Sequence, residues 1–423
     1  MPVGRRAVGP SRKLSRRQFL TRTGRAALAV PGMSAILAAC GKPGSSVGEA
    51  SATGRPLARP DRPVTLPLRG RPIPTDTPPE KGATLRVYNW ADYIWKKTLA
   101  EFEDRFDCTV EYQSFFTLEE AVQKIQSGQI RADVYFPGPG YLAKVVYADL
   151  VQPLNHDLIP NMEANVWKLF WDPGPWYDRG WRYSVPYTLL TTGVAHRRDR
   201  VDDREAASQG YDLLWNATYS KQISYYDSYR DAMGMAILRN GGTDVNSGDP
   251  DVIDAAKEAI LQLVQDYDAR LTYNGVYAKM PEGEYTVAQA WSGDVIGAQW
   301  YLPKGTSTDV LGYWYPSDRP GLVGNDIMSI PSNAENPRLA HEFINFLLDD
   351  QIGFSNFAYW TGYMPPIRSI DADQLIDQGV VPPTVPKAIV TEDMMQKGYQ
   401  LGELDPEVDQ MWQNAWDQIK AGG

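Results

Sequence analysis

From Thr84 onward the apolar positions switch repeatedly between two periods. Leu85-Arg86-Val87-Tyr88, Thr109-Val110-Glu111-Tyr112 and Asp133-Val134-Tyr135-Phe136 are short apolar or alternating runs and predict strands. Between them, Trp95, Leu99, Phe102 and Phe106 recur at helical spacing and predict a helix over 94–106. Thr117-Leu118-Glu119-Glu120 has a hydroxyl residue followed three places later by Glu, a capping box that opens a helix reaching Ser127. Strands alternating with helices imply parallel strands joined by helical crossovers, an α/β class. Farther on, Asp249-Pro250 supplies an N-cap and an N1 proline. Ile253, Ala256, Ile260, Leu263 and Tyr267 form one stripe after it. Asn336-Pro337 opens another helix with Leu339, Phe343, Phe346 and Leu347 inward, and a last helix spans about 406–420. No internal repeat is visible.

The first 80 residues follow neither period. Ser15-Arg16-Arg17-Gln18-Phe19-Leu20 is a twin-arginine pattern, and the apolar stretch after it is too short and weak for a membrane span. That stretch ends in Leu37-Ala38-Ala39-Cys40-Gly41, which resembles a bacterial lipobox. The order of the three features predicts a twin-arginine lipoprotein signal over 1–40, with lipid on Cys40. Pro60, Pro63, Pro67, Pro72, Pro74, Pro78 and Pro79 preclude a regular helix, so 41–82 is expected to be a disordered, partly extended linker.

The chain of 423 residues is too long for one ordinary core and suits two lobes plus tails. Of its 42 Lys/Arg and 52 Asp/Glu, 14 and 4 fall in 1–80, which leaves 28 and 48 in 81–423 and a net charge of −20 there. Such a body repels nucleic acid and attracts cations. Two cysteines give no disulfide framework, and Cys108 reads as a lone inert thiol. His156, His196 and His341 lie far apart, and His341-Glu342 lacks the second histidine of a zinc-protease helix. Gly138, Gly140 and Ala143 form a G-x-G-x-x-A, read as a tight turn lining a cleft rather than a dinucleotide site. No P-loop or nucleophile elbow occurs, and no metal or cofactor is expected.

Several segments, in order, resemble the spermidine/putrescine-binding proteins of bacterial ABC importers. They are Asn89-Trp90-Ala91-Asp92-Tyr93, Ala132 to Pro137, Tyr183-Ser184-Val185-Pro186-Tyr187, Leu213-Leu214-Trp215, Glu282-Gly283-Glu284 with Trp291-Ser292-Gly293, Asp326 before Ile330-Pro331, Asn345-Phe346-Leu347-Leu348, and Gly362-Tyr363-Met364-Pro365-Pro366. The resemblance covers about 84–423. It implies a bilobed, type II periplasmic-binding-protein-like fold with a two-segment hinge. Lobe one would be 83–190 plus 325–371, and lobe two 191–324 plus 372–423. It also implies a monomeric, non-enzymatic receptor that hands a polyamine to a permease, which the amino-terminal signal would place outside the cell membrane on a lipid anchor.

A polyamine needs carboxylates for its ammonium groups and aromatic faces for both its charges and its methylenes. Trp90, Tyr93, Trp291 and Tyr363 stand at matching aromatic positions, and Asp92, Asp231 and Asp326 at matching acidic ones. Asp227 is one turn before Asp231, which would set both on one side of a helix start. The chain departs from the family at Gly138, Gly140 and Gly324, where hydroxyl or aromatic residues are common. Gly324 removes one stacking wall, for which Tyr141 or Trp314 is a candidate replacement. Two alternatives follow: a receptor for another organic amine (an opine, an amino-acid derivative or a quaternary ammonium compound), and an exported glycoside hydrolase. The hydrolase would need a fixed carboxylate pair with one pKa raised.

Overall fold

The computed structural model describes residues 54–172, 174–272 and 275–422. Arg16, Arg17 and Cys40 lie outside the described residues. Strands β1 (Thr84–Trp90), β2 (Thr109–Phe115) and β3 (Val134–Tyr135) lie parallel in the order β2-β1-β3, as the alternation predicts. The helix Lys96–Phe106 buries Phe102. Its ring meets Phe343 edge-on at 4.8 Å, which docks this helix on the helix Pro337–Leu347. The Thr117 hydroxyl accepts from the Glu120 N–H at 3.2 Å and caps the helix Leu118–Gln126. Asp249 caps Pro250–Tyr267, which buries Ile253, Ala256, Ile260 and Leu263. The last helix is Pro406–Ala421.

A second, seven-stranded sheet comprises β5 (Val185–Arg197), β6 (Ile223–Tyr226), β7 (Arg270–Thr272), β8 (Val287–Trp291), β9 (Leu311–Trp314), β10 (Leu322–Met328) and β12 (Tyr399–Gln400). The short β4 (Val151–Gln152) and β11 (Ile330–Pro331) pair with each other. β5 and β10 are antiparallel and join the two sheets: their outer ends carry β8, β9 and β12, while Ser329, just past β10, bridges to Tyr135 of β3. Leu190 and Gly324, at the expected crossing points, face each other in register. The register slips between Asp326 and Ile327, beside Pro186 of β5. Proline has no N–H for the ladder, so an irregularity belongs there.

The segment expected to be a free linker up to residue 82 differs. From residue 54 it runs against the body, and Ala58, Val64 and Leu66 are buried. The Val64 N–H donates to Trp176 O at 2.8 Å, Arg182 donates to Leu66 O at 2.8 Å, and the Tyr183 hydroxyl donates to Pro67 O at 2.7 Å. Prolines forbid helix and sheet, but an extended chain still satisfies its carbonyls on neighbouring side chains. Composition reads regularity, not docking. Cys108 is half-buried, and burial pushes its thiol up to about 11, in line with an inert role.

Candidate functional site

β1 ends at Trp90, and the chain turns at Asp92, whose φ of 58° is left-handed. This turn brings Tyr93 under the crossing strands. The Tyr93 hydroxyl donates to Asp326 Oδ2 at 2.5 Å and lies 2.7 Å from the Thr188 hydroxyl of β5. Thr188 and Asp326 are register partners, so the β5–β10 ladder itself fixes this carboxylate. Desolvation raises the Asp326 pKa to about 6, and the charge of Asp231 pushes it the same way.

Asp231 comes from the other sheet. Ser228 caps the helix Tyr229–Arg239 and donates to Asp231 Oδ2 at 2.8 Å. Trp291 Nε1 donates to Asp231 Oδ1 at 3.0 Å, while the Trp291 ring stacks on Tyr226 with centroids 3.9 Å apart. Desolvation raises the Asp231 pKa. Among the described residues, the side chains bonded to these two carboxylates are hydroxyls and an indole N–H, not cations.

Tyr363 joins the two halves. Its ring meets Tyr93 edge-on at 5.1 Å, and its hydroxyl donates to Asp294 Oδ1 at 2.8 Å. Asp294 Oδ2 accepts from Tyr226 at 2.7 Å. A continuous chain of contacts therefore runs from Asp326 through Tyr93, Tyr363, Asp294, Tyr226 and Trp291 to Asp231. Gly293 is what lets Tyr363 in: a Cβ there would sit 2.3 Å from the ring. Gly293→Ala is expected to destabilise the protein by about 1–3 kcal/mol through overpacking. Urea unfolding followed by tryptophan fluorescence measures it, and an unchanged midpoint refutes the contact.

Five of the expected residues thus converge: Tyr93, Asp231, Trp291, Asp326 and Tyr363. Trp90 and Asp92 stand at the carboxyl end of β1, where open α/β sheets hold their ligands. Trp90 is half-buried and packs on Phe115 at 4.6 Å, and the Asp92 carbonyl accepts from Trp360 Nε1 at 2.8 Å. Asp227 departs from expectation. The helix begins only at Tyr229, so Asp227 precedes it instead of sharing a face with Asp231. Its carboxylate accepts from Trp416 Nε1 of the last helix at 3.2 Å.

Neither proposed replacement joins the chain of contacts. Trp314 packs edge-on against Tyr211 at 4.8 Å, and the Tyr141 hydroxyl donates to Glu119. Gly324 sits against Leu190, where a Cβ would meet Cδ1 at 3.2 Å. Gly138 caps the helix Pro139–Tyr147, and a Cβ on Gly140 would touch the Gly402 backbone at 3.4 Å. Sequence reasoning missed Thr188, Tyr226 and Asp294. Only Asp294 had a local signal, one helical turn beyond Trp291.

The site thus sets two partly exposed carboxylates in desolvated surroundings, bonded to neutral donors, with tyrosine and tryptophan faces between them. The family model of bacterial extracellular solute-binding proteins matches residues 97–381. A putrescine-binding periplasmic protein of Escherichia coli is 24% identical, over 80% of this chain and 92% of its own length. One from Pseudomonas aeruginosa is 26% identical with the same two coverages. The spermidine/putrescine transporter substrate-binding protein of Streptococcus pneumoniae superposes with a TM-score of 0.63 at 23% identity, over 80% of this chain and 99% of that one. A lipoprotein of Treponema pallidum superposes at 0.65 with 20% identity, over 79% and 99%. These structures show the fold, a bilobed type II periplasmic-binding-protein architecture.

Proposed function

Because this chain belongs to the bacterial extracellular solute-binding protein family, we propose that it captures a polyamine of the putrescine or spermidine kind between its lobes and delivers it to an ABC importer. One observation carries the reading: Asp326 is desolvated and feels the charge of Asp231, yet both carboxylates are hydrogen-bonded to neutral donors. An ammonium group entering there supplies a counter-charge to Asp326, among whose described electrostatic neighbours no cation is found, and closure strengthens the pair by excluding water. Tyr93, Tyr363 and Trp291 would face the methylenes, and Trp90 and Asp92 would close the end at β1. The relatives are binding proteins rather than enzymes, which supports a role without catalysis. The lobes would be 83–190 plus 325–371 and 191–324 plus 372–423, with Leu190 and Gly324 at the crossing. Calorimetric titration with putrescine, spermidine, an opine, betaine and succinate tests the proposal. Tight binding of a polyamine, and none of succinate, is the expected result. Tightest binding of succinate would overturn it, and a preference for an opine or betaine would keep the class and replace the solute.

The same reading has the protein exported through Arg16-Arg17 and held to the membrane by lipid on Cys40, as a monomer. Cys40→Ala is expected to move the protein from the membrane fraction to the soluble one, or to stall its processing. Fractionation and mass spectrometry of the amino terminus check this. Unchanged retention of the variant, with no lipid on the wild type, refutes the anchor.

A further inference from the structure

The segment 54–69 touches both sides of the proposed cleft. Along lobe one, the Arg179 N–H donates to Val64 O at 3.0 Å, Arg182 and Tyr183 hold Leu66 and Pro67, and the Arg69 guanidinium lies 5.7 Å from the Tyr147 ring centre. At its other end the contacts change partner. Arg55 forms a salt bridge to Glu403 at 2.9 Å with both side chains largely buried, and Arg59 donates to Glu403 O at 2.9 Å. Glu403 lies in the 372–423 part of lobe two. Burial pushes its carboxyl up, Asp409 adds to that, and Arg55, Lys144 and Arg59 draw it back. None of those three cations belongs to lobe two. Trp176 of lobe one donates to Gln400 Oε1 at 2.6 Å beside them, and Lys144 pairs with Asp409 at 3.3 Å. Gly402 keeps the seam close: a Cβ there would lie 2.8 Å from the Trp176 ring and 3.3 Å from Arg59. The family match begins at residue 97, downstream of this segment.

We propose that residues 54–69 are a clamp that fastens the 399–403 segment of lobe two to lobe one and slows opening of the cleft. A lobe rotation that widens the site must break the Arg55–Glu403 pair, the Arg59 bond, or the packing of Val64 and Leu66. The inference rests on the lobe boundaries proposed above, not on which solute binds.

The test compares the wild-type chain with Arg55→Ala/Arg59→Ala, without ligand, by small-angle X-ray scattering and hydrogen–deuterium exchange. The variant is expected to have a larger radius of gyration and exchange about tenfold faster at amides 399–403. Putrescine release, followed by tryptophan fluorescence after dilution, is expected to be about fivefold faster, because such contacts act mainly on dissociation. Should the double variant fail to fold, Glu403→Gln removes the ion pair while keeping the volume and is expected to shift all three readouts the same way. Superimposable scattering and unchanged exchange overturn the clamp, even if the melting temperature falls. If neither putrescine nor spermidine binds the wild type, the solute assignment fails, while scattering and exchange still decide the clamp.

Discussion

Asp326→Asn is expected to weaken polyamine binding at pH 7 by tenfold or more, each tenfold being about 1.4 kcal/mol. The substitution keeps the size of the side chain and an oxygen to accept from Tyr93, so the loss isolates the charge. Truncating one member of a desolvated charge pair typically costs about 2–5 kcal/mol, which sets the upper range. The pH dependence has a definite sign. Desolvation lifts the Asp326 pKa from 3.8 to about 6, so its charge is lost as pH falls through about 6. Wild-type affinity is therefore expected to drop below pH 6, and the drop contributed by this group is absent from the variant. Stability runs the other way. Between pH 4 and 6 the folded protein holds more protons on this group than the unfolded chain does, so its contribution falls as pH rises. The ligand-free Asn variant should accordingly gain in melting temperature over wild type more at pH 7 than at pH 4. Calorimetric titration and thermal melts across this range check both arms. Equal affinities at pH 7 would remove Asp326 from the site.

Trp291→Ala is expected to weaken binding by about tenfold, with less dependence on salt than Asp326→Asn. A desolvated cation–π contact is worth about 0.5–2 kcal/mol, and the ring also presents an apolar face to methylenes. The substitution removes the Nε1 donor from Asp231 and the stacking surface of Tyr226 as well. Trp291→Phe separates these parts, because it restores a ring without the N–H and should recover a fraction of the affinity. Titrations at low and high salt measure the contrast, since ionic screening weakens the charge pair more than the stack. Affinity unchanged in the alanine variant would place Trp291 in the packing of Tyr226 alone.

The sequence by itself determined the elements whose signal is local. The Thr117 cap, the Asp249-Pro250 start and the stripe after it each depend on residues within a few turns, and each appears where the pattern puts it, although the Glu120 carboxylate pairs with Lys124. The order of weak motifs also sufficed to identify the family and five of the residues that converge. Tertiary structure alone decided the rest. Asp227 and Asp231 are the same residue type four positions apart, but the helix boundary between them turns one toward Trp416 and the other toward Trp291. Asp294 is marked in sequence only by its place one turn past Trp291, and it becomes the link between Tyr226 and Tyr363 because Gly293 and Gly362 let two distant segments touch. Proline-rich 54–82 looks free by composition, since composition reports which regular structures are forbidden. Whether an extended chain is then solvated or docked depends on carbonyl partners such as Arg182 and Tyr183, more than 100 residues away, which no local pattern records.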